Sequence, residues 1–288
     1  MTIKIVTDSS CDLGIDFVKK NNIEFIPLLL NLDGENIEDD LGKSLGYREF
    51  YDKLREGSMP STSQINIYTF EEKFRELLNE GYEILYVGLS SALSGTFNSA
   101  NMARNNILEE NPNAKISVVD SLSVSMGVGM LVKKSCDMIE EGKDLEYITT
   151  WIEENKNKVI HSILVDDLKH LKRGGRISAS TAAVGSLLNI KPILKIDNNG
   201  AVEATEKIKG KKKALKYLAT VVKEKAVNIE SETLYIMHGD ALEEAQVLKD
   251  IILQELNFKE IKIQYIGTVI GSHGGPGTIA TIFWGNER

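Results

Sequence analysis

Three times in the first half of the sequence, a short apolar run ends in hydroxyl side chains. These are Val6-Thr7-Asp8-Ser9-Ser10, Val87-Gly88-Leu89-Ser90-Ser91 and Val119-Asp120-Ser121, and each is followed by residues at helical spacing. Strands that alternate with helices imply a parallel sheet covered on both faces. The carboxyl ends of such strands share one edge, and ligands bind outside that edge. All three clusters are therefore expected on one rim. The second is the richest. Ile84 to Leu89 reads as its strand, Ser90-Ser91-Ala92-Leu93-Ser94 as its turn, and about Gly95 to Leu108 as its helix. A helix start offers unpaired N–H groups and a positive dipole end, which suit a phosphate or a carboxylate. The turn holds no Lys, Arg, Asp or Glu, so an anion there would meet neutral donors. Serine and threonine also cap helices for purely local reasons. Three such turns on one rim would make a hydroxyl-lined surface.

The chain has 288 residues, more than one core usually takes, which suggests two domains. The helix from Leu145 to Asn157 is expected to lead out of the first. The division is residues 1–157, an α/β domain with hydroxyl-rich strand-end loops, and residues 158–288, a smaller α+β domain. The fold class expected is thus α/β, with a parallel sheet first and mixed hairpins and helices second. A 42% apolar and 26% charged composition is that of a soluble globular protein. No apolar run reaches 18 residues, which argues against membrane insertion. The N-terminal residues lack a signal-peptide core, and Cys11 and Cys136 lie far apart, so a cytoplasmic location is expected. A net charge of −8 argues against nucleic acid as a partner.

Between the rim motifs, Pro27 interrupts an extended stretch from Glu24 to Leu32, and Asp33-Gly34 signals a hairpin. Tyr47 to Arg55 has helical spacing. Met59 to Gln64 reads as too polar for a regular element. Thr69 and Glu72 form a capping-box pattern before a helix at Phe70 to Asn79. In the second half, Val159 to Val165 reads as a strand and Lys172 to Arg176 as a basic, glycine-rich turn. Ser178 to Leu188 reads as an apolar helix, and Asn198-Asn199-Gly200 as a hairpin. Leu234 to Ile266 reads as a β-α-β unit, with Asp240 and Glu243 as its capping box. Ile270 to Gly277 reads as a tight turn before a last strand.

Few motifs for chemistry stand out. Gly88-Leu89-Ser90-Ser91-Ala92 has only the first glycine of a nucleophile elbow. A serine hydrolase acting on acyl substrates would need Ser94, His273 and Asp8 brought together by the fold. No His-x-x-x-His or Cys-x-x-Cys spacing exists, so no metal is expected, and no glycine fingerprint marks a dinucleotide cofactor. His161, inside an apolar strand, reads as packing. His273 sits among four glycines and a proline, where backbone can approach a ligand closely. Arg173 and Arg176 could bind a phosphate or an acidic partner, or form a solvated basic loop.

Five motifs in order resemble the DegV family: Thr7 to Leu13, Pro60 to Gln64, Ser90 to Thr96, Arg173 to Ser178, and Gly271 to Gly277. The resemblance spans nearly the whole chain. It implies an α/β sandwich followed by a smaller α+β domain, with a long-chain fatty acid such as palmitate buried in an apolar tunnel. It implies a binding protein rather than an enzyme, without a cofactor, for lipid transport or presentation to a fatty acid kinase. By the same resemblance Thr62 and Ser94 hold the carboxylate, with His273 close by. Arg173, Arg176 and Lys209 belong to the head-group or kinase-facing side. Many members carry an arginine where this chain has Lys209, and the substitution loses a bidentate contact. A regulatory protein that binds no lipid is the remaining alternative.

Overall fold

The computed structural model describes residues 2–177 and 189–288. The apolar stretch from Ser178 to Leu188, expected to be helical, lies outside the described residues.

The first sheet contains β1 (Thr2–Asp8), β2 (Glu24–Ile26), β6 (Tyr82–Gly88) and β7 (Ile116–Asp120), in the order β2-β1-β6-β7. Every neighbouring pair is parallel. Successive side chains on a strand face opposite ways. Ile5, Leu85 and Val87 accordingly pack on α5 (Met126–Glu140) and α6 (Leu145–Asn155). Val6, Ile84 and Tyr86 pack on α3 (Ile67–Asn79) and α4 (Thr96–Glu110). The three hydroxyl turns therefore do lie on one edge. A short helix, α1 (Ile15–Lys20), joins β1 to β2.

Pro27 ends β2, and the chain resumes as β3 (Leu29–Leu32) and β4 (Glu35–Glu38) in a separate sheet of order β4-β3-β5. Asp33 and Gly34 both have positive φ, the geometry of a tight hairpin turn. Met59 to Gln64 is more regular than its polarity suggested. β5 (Ser61–Ser63) pairs antiparallel with β3 and sets Thr62 opposite Leu30. As an edge strand it does not need to bury both faces, so polar side chains are tolerated. α2 (Tyr47–Arg55) packs Phe50, Tyr51 and Leu54 against Leu30 and Leu32.

The third sheet has the order β10-β9-β8-β13-β11-β12. Its strands are β8 (Val159–Leu164), β9 (Ile190–Ile196), β10 (Val202–Lys209), β11 (Thr233–His238), β12 (Glu260–Tyr265) and β13 (Ile279–Trp284). Only β11 and β12 are parallel, joined by α9 (Leu242–Leu253); the other pairs are antiparallel. α8 (Lys211–Lys225) covers the outer face through Ala214, Leu218 and Val222. The largest buried cluster runs from Ile5 and Leu85 to Tyr235 and Ile282, so the first and third sheets share a core.

Four local expectations need correction. Asn66, not a Thr69–Glu72 box, caps α3, its side chain accepting from the Thr69 N–H at 2.9 Å. α9 has no side-chain cap, because Asp240 is turned away to accept from the Tyr265 hydroxyl at 3.1 Å and pair with Arg55 at 2.6 Å. Lys172 and Arg173 belong to a short helix, α7 (Lys169–Arg173), and the turn begins only at Gly174. The glycine-rich tail is helical as far as Gly274, as α10 (Thr268–Gly274).

Candidate functional site

A cavity of about 220 Å³ lies where the rim of the first sheet meets β5, α10 and the inner face of β8 and β9. Leu28, Leu89, Val124, Ile163, Leu194 and Ile270 give it an apolar wall. Thr62, Ser94, Arg176 and His273 line the same cavity. Four of the six residues proposed from sequence therefore come together, although they come from four separate segments.

Thr62 and His273 meet directly, with Thr62 Oγ1 2.9 Å from His273 Nε2. His273 occupies the last turn of α10, a helix whose glycines disfavour it intrinsically. Tertiary contacts hold it in place. The Gly267 N–H at its start donates to Asp12 Oδ1 at 3.0 Å. Gly271 leaves room for the Tyr51 hydroxyl, which a Cβ there would approach to 2.4 Å. The His273 ring lies against Gly174, where a Cβ would sit 2.2 Å from Nδ1. That nitrogen has no hydrogen-bond partner among the described residues. Burial, then the charges of Arg176 and Arg173, push the His273 imidazole down to about 4. At neutral pH it is uncharged and carries one proton for its two nitrogens.

Ser94 sits two residues before α4. Its Oγ lies 2.9 Å from Thr96 Oγ1 and accepts from the Thr96 N–H at 3.3 Å. It therefore organises the helix start and lines the cavity as well. Most other rim hydroxyls serve only the loops. Ser10 donates to Asp8, Ser9 accepts from the Leu28 N–H, and Ser90 donates to the Gly200 carbonyl at 2.8 Å. The rim is thus less a hydroxyl-lined surface than a set of self-bonded turns, of which Ser94 reaches the cavity.

The first motif has an internal role that its sequence did not reveal. Asp8 accepts from the Tyr86 hydroxyl at 2.8 Å and the Leu89 N–H at 3.1 Å, anchoring the strand that leads to Ser94. Asp12 accepts from Ser125 and from Gly267, anchoring the helix that carries His273. Burial raises the Asp12 carboxyl to about 8. With Asp8 committed to Ser10, Tyr86 and Leu89, no hydrogen bond among the described residues links Ser94, His273 and Asp8 into a hydrolase triad.

The basic residues divide into two groups. Arg176 is half-buried and lines the cavity. Its Nε donates to the Leu93 carbonyl at 2.9 Å and its Nη1 to the Gly174 carbonyl, so it ties the Ser94 loop to the turn beneath His273. An anion at this end would therefore have a cation nearby and not neutral donors alone. Arg173 and Lys209 are exposed and are not among the residues that line the cavity. Arg173 points its guanidinium at His170 Nδ1, 3.2 Å away. Sequence reading also missed Gln64, Ser125 and His161 as lining residues. The signal for Gln64 was the glycine beside it in the fold: a Cβ on Gly95 would lie 2.0 Å from Gln64 Oε1.

Other proteins resemble this chain over nearly its whole length. A family model described as an uncharacterised protein of the DegV family matches residues 2–285. The chain belongs to the DegV family. A DegV domain-containing protein of Clostridium perfringens, CPE0026, is 45% identical over 284 residues, covering 99% of this chain and 98% of the relative. Two solved DegV structures share the fold over nearly their whole length. One, from Thermus thermophilus and described by its fatty acid binding, has a TM-score of 0.89 at 33% identity, covering 99% of this chain and 100% of that one. The other, from Eubacterium eligens and loaded with heptadecanoic acid, has a TM-score of 0.84 at 27% identity, again covering 99% and 100%. Among the described residues of this DegV chain, no helix is long and apolar enough to cross a membrane.

Proposed function

We propose that this DegV protein binds a long-chain fatty acid, with its carboxylate at the Thr62, Ser94 and His273 end of the cavity and its tail along the apolar wall. The observation that carries the reading is the Thr62–His273 pair, 2.9 Å apart, set in the wall of a predominantly apolar cavity. Two hydroxyls and one neutral imidazole supply hydrogen-bond donors for a carboxylate, and Arg176 supplies nearby positive charge. Burial of a palmitate tail is worth on the order of 11 kcal/mol at about 0.8 kcal/mol per methylene. Association and ordering costs offset a large part of that. The tail then provides affinity and the polar end provides orientation. The fatty acid binding of the Thermus relative and the heptadecanoic acid held by the Eubacterium relative support the same reading.

Native mass spectrometry of freshly purified protein tests it. The expected result is a co-purified mass matching a long-chain fatty acid, or uptake of added palmitate at one equivalent. A folded protein that takes up none would overturn the assignment.

We also propose presentation of the bound acid to a fatty acid kinase, with Arg173 facing the partner. Arg173 is exposed beside the cavity's polar end, where a guanidinium fork suits an acyl-phosphate. Exposed Lys209 is a second cation for that encounter. Arg173→Ala should retain palmitate but support acyl-phosphate formation poorly with a fatty acid kinase and ATP, relative to the unmutated chain. Loss of palmitate affinity would instead place Arg173 in the carboxylate site.

A further inference from the structure

β8 and β9 are neighbours for only part of their length. Their ladder holds Ile163 opposite Leu194 and Leu164 opposite Ile193, yet β8 begins at Val159 and β9 continues to Ile196. Over the remainder the strands splay. Arg288 spans the opening, donating from Nε to the Val159 carbonyl at 3.0 Å and from Nη1 to the Asp197 carbonyl at 2.8 Å. A second cavity, also of about 220 Å³, opens behind the splayed strands beneath α8. Thr205, Tyr217 and Val221 help to line it. It shares His161, Leu194 and Ile196 with the first cavity, so these side chains stand between the two.

Direction along β8 identifies which end of the first cavity this is. His161, Ile163 and Val165 all line the first cavity. Val165 packs with Leu168 and Leu171 of the α7 segment, whose following residue Gly174 touches His273. His161 lies four residues back, roughly 13 Å along an extended strand. It is therefore remote from the carboxylate end. Its ring is fixed as a wall: Nε2 donates to the Val124 carbonyl at 3.2 Å, and Gly127 makes room for it, since a Cβ there would lie 2.2 Å from Nε2. Ile196 is buried beside it among Leu89 and Val124.

We propose that His161 and Ile196 form the partition that ends the acyl cavity, setting the longest chain it accepts, with the second cavity behind them as reserve space closed by Arg288. This rests on the fatty-acid reading. A chain longer than the first cavity must stop at this partition, and a smaller residue there joins the two spaces.

The test offers the whole protein an equimolar mixture of palmitate and docosanoate and reads the bound ratio by native mass spectrometry. Ile196→Ala should retain palmitate and raise the docosanoate share roughly tenfold, the worth of about two further buried methylenes. Ile196→Val, a milder truncation if the alanine variant does not fold, should shift the ratio in the same direction by less. Val221→Phe added to either variant fills the second cavity and should restore the parent ratio. A folded variant that holds palmitate with an unchanged ratio overturns the partition alone. A parent that holds neither acid overturns the fatty-acid reading, and the partition with it.

Discussion

His273 and His161 line the same cavity and are built alike. His161 is buried and His273 half-buried, and each has an Nδ1 without a hydrogen-bond partner among the described residues. Each ring rests on a glycine whose Cβ would come within 2.2 Å of a ring nitrogen. Burial pushes both imidazoles down, to about 4 for His273 and about 3 for His161. What differs is the partner of Nε2. The Val124 carbonyl beside His161 can only accept, so Nε2 carries the proton and the arrangement is closed. The Thr62 hydroxyl beside His273 can donate or accept, so that pair has two arrangements and can turn a proton toward a ligand oxygen. On the proposed reading, the same residue type would serve as wall at one end and as handle at the other.

Breaking the handle should have the largest effect on binding. Thr62→Ala and Ser94→Ala are each expected to weaken palmitate binding by about 1.5–3 kcal/mol, the usual size for a hydrogen bond to a charged group. Thermal stability should hardly change for Thr62→Ala and fall slightly for Ser94→Ala, whose hydroxyl also accepts from the Thr96 N–H at the start of α4. Fluorescence-displacement titration alongside a melting curve reads both quantities. Intact affinity in both variants would reduce these hydroxyls to loop capping.

The two glycines sharpen the contrast. Gly127→Ala forces a methyl against His161 inside α5. The gain in helix propensity, about 1 kcal/mol, is smaller than the overpacking cost of about 1–3 kcal/mol for a ring with nowhere to move. The variant should melt lower while palmitate affinity stays near the parent value. Gly174→Ala presses on His273 at the end of α7, where the turn is partly exposed. Here affinity should fall roughly tenfold and the melting temperature should change less than in Gly127→Ala. Equal effects of the two substitutions on both readouts would mean that the rings do not differ in role.

The sequence shows these two ends very unequally. Parallel strands, helices on both faces and a common rim follow from alternation, because burying Ile5 one way and Val6 the other requires them. That Ser94 and Thr62 share a cavity wall was legible only through short motifs in a resemblance. The cavity wall was not, because Ile163 lining a ligand space obeys the same two-residue period as Leu164 filling a core. α10 was hidden by its composition. Gly271 and Gly274 argue locally for a turn, and only the contacts with Asp12 and Tyr51 make a helix there. His161 looked like packing because an inward-facing strand histidine carries no local sign of what lies in front of it. Arg176 looked like a free basic residue because its partner, the Leu93 carbonyl, is 83 positions away.

The smallest effect is the most direct test of the comparison. Both histidines have depressed pKa values in the folded protein, so each contributes stability that is complete above about 6.5. That contribution is lost as pH falls through this value toward about 4 for His273 and about 3 for His161. Folding data alone cannot separate them, because both act in the same direction. A bound carboxylate can. Negative charge beside His273 favours its protonated form and should draw its pKa up from about 4, whereas an apolar tail beside His161 brings no charge. Imidazole resonances followed by NMR through an acid titration, with and without palmitate, should show His273 titrating at higher pH in the complex and His161 unmoved. Assignment follows from the loss of one resonance in a His273→Gln variant and of another in a His161→Gln variant. If neither resonance moved, the carboxylate would lie away from His273. If only His161 moved, the fatty acid would enter in the reverse direction, with its head at the partition and its tail toward Thr62.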